Sequence, residues 1–259
     1  MAVIFSNTAA DAVISLGTAD FLRENAAISL SCWLFPVSSG GGGLGMIMFR
    51  MGASTNSALG ISFQVRSAND GYGFNIDGGT AIYRRTTAST VSYNSWQNIV
   101  LTWTGGTAGT SINMYKNGTE MSYSSTQSGA TPSNTGTRTT YVGNRQTWNR
   151  LFDGYISEMA LWSVVVGTGT IAALGNARVR GLPLRLETAS LVSYWPLDDL
   201  ANGVSGDGVT FRDRWGTNTG TGSDGTANTG IAGTSGDPLS YLLQNENIYP
   251  RGVMRGVYQ

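Results

Sequence analysis

A polar loop with one tryptophan is the segment of this sequence whose residue types best suit ligand binding. It reads Asn144-Arg-Gln-Thr-Trp-Asn-Arg150. An exposed indole ring can stack on a pyranose ring, and amide or guanidinium groups beside it can hydrogen-bond to sugar hydroxyls. Trp148, Asn144, Arg145 and Asn149 are therefore the candidate carbohydrate-binding residues. The alternative is that Trp148 anchors the loop to its own domain or contacts a partner subunit.

The residues that the chain lacks exclude several kinds of catalytic site. It has no histidine and one cysteine, Cys32, so Ser-His-Asp and Cys-His nucleophile systems and histidine metal ligands are excluded. Glycoside hydrolysis needs two carboxyl groups about 5 to 9.5 Å apart. The glutamates are far apart along the sequence: Glu24, Glu120, Glu158, Glu187 and Glu246. We therefore expect that the chain is not an enzyme.

Composition favours many short strands joined by turns. Glycine accounts for 36 of the 259 residues, and only 12% of the residues are charged. Glycine, serine, threonine and asparagine are typical of turns and of strands, and not of helices. The formal net charge is zero, so the chain has no basic field that would attract nucleic acid. No window is apolar for long enough to span a membrane, and we expect no membrane partner.

Apolar and polar residues alternate in several segments, which predicts half-buried strands. The clearest of these segments are residues 28–35, 61–66 and 96–104. Asn117-Gly118 follows another strand pattern and predicts a tight hairpin. The alternation breaks between Ile156 and Met159, which predicts a β-bulge near residues 157–158. A threonine cap at residue 168 or 170 predicts one short helix through Leu174.

These patterns predict three regions. Residues 1–166 form the sandwich, residues 167–190 a helical connector, and residues 191–259 a carboxyl-terminal extension. Within the extension, we expect the apolar strand 191–197 to join the sandwich. The almost purely polar residues 201–237 should then be a linker, and residues 238–259 a docking tail.

Several segments resemble, in order, the laminin G-like, concanavalin A-like jelly-roll family. Residues 27–36 resemble its first core strand, and residues 94–103 resemble its central strand. Residues 112–118, which end in Asn117-Gly118, resemble its tight hairpin. Leu151-Phe-Asp-Gly-Tyr-Ile-Ser-Glu-Met-Ala-Leu-Trp162 resembles its closing strand, and Leu191-Val-Ser-Tyr-Trp-Pro-Leu-Asp-Asp199 resembles the segment after its helix.

The resemblance covers roughly residues 1–216 and implies an all-β fold. This is a two-sheet antiparallel jelly-roll sandwich with one short helix, followed here by a Gly/Thr-rich carboxyl-terminal extension. Trp33, Trp103 and Trp162 match core positions of the family. Hydrolases with this fold carry Glu-x-Asp-x-x-Glu on one strand, and the sequence lacks that motif.

A calcium site is a further implication of the resemblance. Relatives often bind Ca²⁺ where the first strand meets the closing strand, and Asp153 and Glu158 could serve as ligands. Ser157 stands where the family commonly has a ligating aspartate, which argues against the site. The alternative is that Asp153-Gly154 forms a turn and that Glu158 is a solvated residue of the bulge. We therefore expect no cofactor other than this disfavoured structural Ca²⁺.

The carboxyl-terminal tail predicts a contact between subunits. Its apolar and aromatic residues follow a stretch with few apolar side chains, and in water they would form an exposed hydrophobic patch. We expect Tyr249, Met254 and Tyr258 to anchor it, while Arg251 and Arg255 pair with carboxylates or carbonyls. The alternative is that the tail folds back onto its own sandwich.

Two functions follow from these observations. The first is a non-enzymatic structural protein of a bacterial virus particle, such as a capsid decoration, fibre or tail component. Its partners would be other virion proteins or copies of itself. The absence of a secretory signal pattern at residues 1–6 suggests synthesis in a host cytoplasm. The second is a carbohydrate-binding adhesin or lectin module, which would work outside the cell and bind a host-surface glycan.

Overall fold

The structure is a computed structural model of the chain. It describes residues 2–6, 12–18, 26–50, 60–76, 80–130, 138–145, 149–176, 179–223 and 231–234. The elements are β1 (Ala2–Phe5), β2 (Val13–Ser15), β3 (Ile28–Pro36), β4 (Leu44–Arg50), β5 (Ile61–Arg66), β6 (Gly71–Ile76), β7 (Ile82–Thr86), β8 (Gln97–Trp103), β9 (Ile112–Lys116), β10 (Thr119–Glu120), β11 (Tyr123–Gln127), β12 (Thr140–Val142), β13 (Gly154–Trp162), α1 (Thr168–Asn176), β14 (Leu191–Trp195), β15 (Thr210–Phe211), β16 (Gly220–Ser223) and β17 (Ile231–Thr234).

The described strands form two antiparallel sheets that pack as a sandwich, as the sequence predicts. The eight-strand sheet has the order β10-β9-β8-β3-β13-β1-β17, and β14 pairs with β13. The nine-strand sheet has the order β11-β7-β6-β5-β4-β12-β2-β16-β15. Between the sheets lies one apolar core to which almost every strand contributes alternate side chains. The fold is a concanavalin A-like jelly roll.

The predicted core residues are buried. Trp103 and Trp162 are completely buried and Trp33 is nearly so. Cys32 is a buried free thiol whose pKa is raised by burial, so it behaves as a small apolar side chain.

Helix α1 covers the outer face of the eight-strand sheet, and it matches the predicted helix. Ile171 and Leu174 pack with Trp162 and Tyr194 in a second apolar cluster on that face. The helix lies directly on the Asn117-Gly118 hairpin. A Cβ atom built at Gly175 would stand only 2.0 Å from the Gly118 nitrogen. None of the described helices has the length and apolar character needed to cross a membrane.

The predicted bulge is present in β13. The register of β13 against β3 shifts between Ser157 and Ala160, and Glu158 has a φ of 52°. The extra residue allows Ile156 and Met159 both to face the core between the sheets.

Residues 201–237 differ from the predicted linker. Three strands lie in their described part: β15 pairs with β16, β16 with β2, and β17 with β1. Backbone hydrogen bonds and close packing replace a large apolar area here, since a Cβ at Gly222 would lie 2.1 Å from the Gly206 carbonyl oxygen. Phe211 adds one fully buried ring. Strand β14 pairs with β13. The tail 238–259, with Tyr249, Arg251, Met254, Arg255 and Tyr258, lies outside the described residues.

Candidate functional site

The outer face of the nine-strand sheet carries polar and aromatic side chains in cross-strand rows. In β5, β6 and β7 the core takes alternate residues such as Phe63, Phe74 and Ile82, so the intervening residues point outward. Among the described residues no helix covers this face. We call it the polar face, and it comprises Phe49, Ser62, Gln64, Arg66, Asn75, Tyr83, Arg85 and Tyr141.

The first row of the polar face crosses five strands. Its paired residues are Tyr83, Asn75, Ser62, Phe49 and Tyr141. The Asn75 Nδ2 atom donates a hydrogen bond of 3.1 Å to the Ser62 hydroxyl. Most of these side chains are half-buried. The row therefore presents amide, hydroxyl and phenol groups beside aromatic rings, which are the groups that bind sugars.

The second row lacks a side chain in β6, where it has Gly73, and we call this position together with the Arg66 side chain that covers it the trough. Gly73 pairs with Gln64 on one side and with Arg85 on the other. The Arg66 side chain lies across the vacant position: a Cβ at Gly73 would stand 2.7 Å from the Arg66 Cδ atom. The Arg85 guanidinium carbon lies 4.1 Å from the centroid of the Tyr83 ring.

The electrostatics of the trough are those of two neighbouring cations. Burial lowers the pKa of Arg66 below its usual value, and the positive charge of Arg85 lowers it further. An arginine side chain nevertheless remains protonated in proteins. The Arg66 side chain lies over Gly73 and the Arg85 guanidinium lies over the Tyr83 ring, so the two arginines are neighbours on the same face of the sheet.

The predicted carbohydrate loop lies at the rim next to this face. Asn144 is fully buried, and its Oδ1 atom accepts hydrogen bonds from the backbone N–H groups of Arg145, at 2.9 Å, and Arg150, at 3.1 Å. In these contacts Asn144 closes the loop. Arg145 Nε donates to Asn149 Oδ1 at 2.8 Å, so those two side chains are together. Trp148 lies outside the described residues.

A glycine-rich turn joins this loop to the polar face. Arg150 Nη1 donates to the Gly42 carbonyl oxygen, and the Ser67 N–H donates to the Gly43 carbonyl oxygen at 2.9 Å. Leu44, the next residue, pairs with Arg66. The turn at residues 40–43 packs so closely that side chains would not fit, since a Cβ at Gly40 would lie 2.2 Å from the Leu151 carbonyl oxygen. Loop and face thus form one continuous surface.

The two candidate calcium ligands are held in separate places. Asp153 Oδ2 accepts a hydrogen bond of 2.6 Å from the Ser38 hydroxyl at the rim. Glu158, five residues farther along the closing strand and on the order of 15 Å away, accepts from Tyr194 Oη at 2.6 Å and from the Gly181 N–H at 2.8 Å. Glu158 is 3% exposed, so it is buried and not solvated. The described residues contain no cluster of three or more metal-ligating side chains.

The described glutamates also make structural contacts. Glu187 Oε1 accepts from the Gly167 N–H and from the Thr170 hydroxyl beside α1. Glu120 accepts from Tyr123. None of these contacts places a glutamate on the polar face. Glu24 and Glu246 lie outside the described residues.

The sequence itself identifies the family once this fold is known. Residues 7–172 match the family model of the Concanavalin A-like lectin/glucanases superfamily. The chain belongs to this superfamily. No curated protein matches the sequence.

Solved structures of similar fold include three proteins of low identity. A protein of Bacteroides ovatus ATCC 8483, to which carbohydrate binding is ascribed, is 20% identical with a TM-score of 0.56, and the match covers 89% of this chain and 58% of that one. The heptameric SAP-like pentraxin of Limulus polyphemus is 14% identical, with a TM-score of 0.49 and coverages of 68% and 81%. The CBM40 of Ruminococcus gnavus IT-sialidase, bound to α2,3-sialyllactose, is 12% identical, with a TM-score of 0.47 and coverages of 58% and 83%. At these identities the likeness concerns the fold alone.

Only part of the polar face can be inferred from the sequence. Ser62, Gln64 and Arg66 alternate with core residues of β5, so their outward direction could be inferred. Their partners Asn75, Tyr83 and Arg85 come from strands whose order the sequence pattern does not give. The exposure of the Trp215 ring also could not be inferred from the sequence pattern. This residue is 46% exposed, and its indole N–H donates to the Leu191 carbonyl oxygen at 2.9 Å.

Proposed function

We propose that this member of the superfamily is a non-catalytic carbohydrate-binding domain whose glycan lies on the polar face. The observation that carries the proposal is the first row of that face together with the Gly73 trough. Sugar hydroxyls require closely spaced donors and acceptors, and the half-buried Asn75 and Ser62 supply both kinds on two adjacent strands. The glycine leaves room for the Arg66 side chain, which lies over the backbone of β6 and presents its charge on the same face.

In this proposal the rim loop extends the surface, and the predicted residues would border the glycan there. Asn149, whose Oδ1 atom accepts from Arg145, lies beside the turn at residues 40–43, since a Cβ at Gly41 would stand 3.3 Å from the Asn149 carbonyl oxygen. That turn borders Arg66. Asn144 would act by holding the loop closed, and Trp148 would contribute its ring. Carbohydrate binding is also the property ascribed to the Bacteroides protein, of which this chain spans 58%.

The role in a virus particle stays a prediction, as do the location in a virion and the extracellular alternative. That role depends on the docking tail, which lies outside the described residues. The membership of the superfamily and the polar face favour the glycan-binding function instead.

The experiment is binding of the purified chain to a glycan array that contains neutral and acidic saccharides. The test variant is Gly73→Val, whose side chain would displace Arg66, since even its Cβ would stand 2.7 Å from the Arg66 Cδ atom. The matched control is Thr221→Val, which puts the same residue on an exposed position of β16 in the same sheet. We expect Gly73→Val to lose at least tenfold in affinity and Thr221→Val to bind as the unmodified chain does.

Two results would contradict the proposal. One is that the unmodified, folded chain binds no glycan of the array. The other is that Gly73→Val binds normally while Trp215→Ala does not, which would place the sugar at the edge of the eight-strand sheet, where Trp215 contacts β14.

A further inference from the structure

Arg66 and Arg85 form an uncompensated pair of positive charges on the polar face. They come from β5 and β7, on either side of β6, and the side chain of Arg66 lies over Gly73, the backbone partner of Arg85. Within the described part of the chain, neither arginine forms an ion pair with a carboxylate. The Nε atoms of both are buried and have no hydrogen-bond partner among the described residues.

Other arginines of the chain show how such charges are usually satisfied. Arg180 pairs with Asp198 at 2.8 Å, and Arg214 lies near both Asp198 and Asp199. Arg84, the neighbour of Arg85 in sequence, donates to the Asn113 side chain and to the Ile112 carbonyl oxygen at the sheet edge. Arg66 and Arg85 have no polar contact of this kind with the described residues. Their Nε atoms are shielded from solvent, so only their terminal Nη groups can reach a ligand.

A second pair of arginines continues the positive charge along the same surface. Burial lowers the pKa of Arg145, and the charge of Arg150 lowers it further. Arg150 touches Gly42, and Gly43 touches Ser67, the residue after Arg66. The four guanidinium groups thus border one surface that runs from the trough to the rim loop.

Half-buried like charges destabilise a folded chain unless an opposite charge joins them. A guanidinium group binds planar anions such as carboxylate and sulfate with two parallel hydrogen bonds. A neutral sugar needs no such pair. We infer that the polar face binds an acidic saccharide, whose carboxylate or sulfate group lies between Arg66 and Arg85. This inference rests on the proposed carbohydrate-binding function.

The experiment compares ligands that differ only in their acidic groups. Polygalacturonate and its methyl ester distinguish a carboxylate, and dextran sulfate and dextran distinguish a sulfate. Binding is measured by titration calorimetry for the full chain and for Arg66→Gln and Arg85→Gln. The control is Arg212→Gln, which removes the same charge from an exposed side chain whose carboxylate neighbour is 4.0 Å away. Thermal unfolding confirms that each variant is folded.

We expect at least one acidic polymer to bind, and its neutral counterpart to bind at least tenfold more weakly. Arg66→Gln and Arg85→Gln should each reduce affinity for that polymer at least tenfold, and Arg212→Gln should leave it unchanged. Equal binding of neutral and acidic forms would overturn the inference and leave the proposed function standing. An equal loss in Arg212→Gln, or no loss in the two trough variants, would also overturn it. If neither these polymers nor any glycan of the array binds, the proposed function fails as well.

Discussion

Replacing Glu158 with alanine removes the acceptor on which two donors depend. Its Oε2 atom accepts from the buried Tyr194 hydroxyl at 2.6 Å and from the partly buried Gly181 N–H at 2.8 Å. The carboxylate thereby ties the bulge of β13 to β14 and to the turn before the Leu182–Arg185 3₁₀-helix. This role is structural, whereas the calcium role that the family resemblance implies, and that Ser157 disfavours, would leave the carboxylate for a metal ion.

The expected loss of stability follows from those two contacts. A buried donor that loses its acceptor costs about 1–3 kcal/mol, so Glu158→Ala should lower the free energy of unfolding by about 2–5 kcal/mol. Glu158→Gln keeps the volume and one acceptor oxygen but loses the charge. Because charge roughly doubles the strength of such hydrogen bonds, this variant should lose about half as much.

The assay is urea unfolding of Glu158→Ala, Tyr194→Phe and the double variant. The two residues are in contact, so their effects should not add. The wild-type chain is also unfolded with calcium chloride and with a chelator, and we expect the two midpoints to agree. A loss below about 0.5 kcal/mol in Glu158→Ala would refute the reasoning. So would a calcium-dependent midpoint that Glu158→Ala abolishes.

Three further predictions concern the fold. Gly175→Ala should destabilise the chain by about 1–3 kcal/mol in thermal unfolding, because the new Cβ would lie 2.0 Å from the Gly118 nitrogen. Gly169→Ala in the same helix is the control: its Cβ meets nothing within 4 Å, so it should not destabilise the chain. Cys32 should react with a thiol reagent at pH 8 only when denaturant is added, because burial raises the pKa of its thiol; rapid reaction of the native chain would contradict its burial. Asp213→Ala should lower the free energy of unfolding by at least about 2 kcal/mol and expose residues 201–223 to protease, because the Asp213 carboxylate accepts four backbone N–H bonds. An unchanged unfolding midpoint would mean that this segment is a linker after all.

Local patterns predict much of the sandwich because its strands alternate in polarity. The bulge follows from the spacing of Ile156 and Met159, and the tight hairpin follows from Asn117-Gly118, whose φ angles of 50° and 81° are both positive. These features depend on neighbours in sequence, so one sequence suffices to infer them.

The polar face and the last strands depend on contacts between distant residues. Arg66 and Arg85 become neighbours only through the pairing of β5, β6 and β7, and Tyr141 joins the row through β4. The segment 201–223 has no apolar pattern from which its strands could be inferred. Backbone hydrogen bonds and packed glycines stabilise it instead. The polar loop sequence predicts that Asn144 contacts sugar, but its burial and its bonds to the loop backbone make it a loop-forming residue.

The central claim is that a glycan binds to the polar face. Its most direct test is to titrate the isotopically labelled chain with the best ligand of the array and to record backbone amide chemical shifts. We predict shifts concentrated in residues 61–66, 71–76 and 82–86 and in the rim loop at residues 144–150, with the amides of β8 and α1 unchanged. Shifts confined to residues 191–216, around Trp215, would contradict the claim.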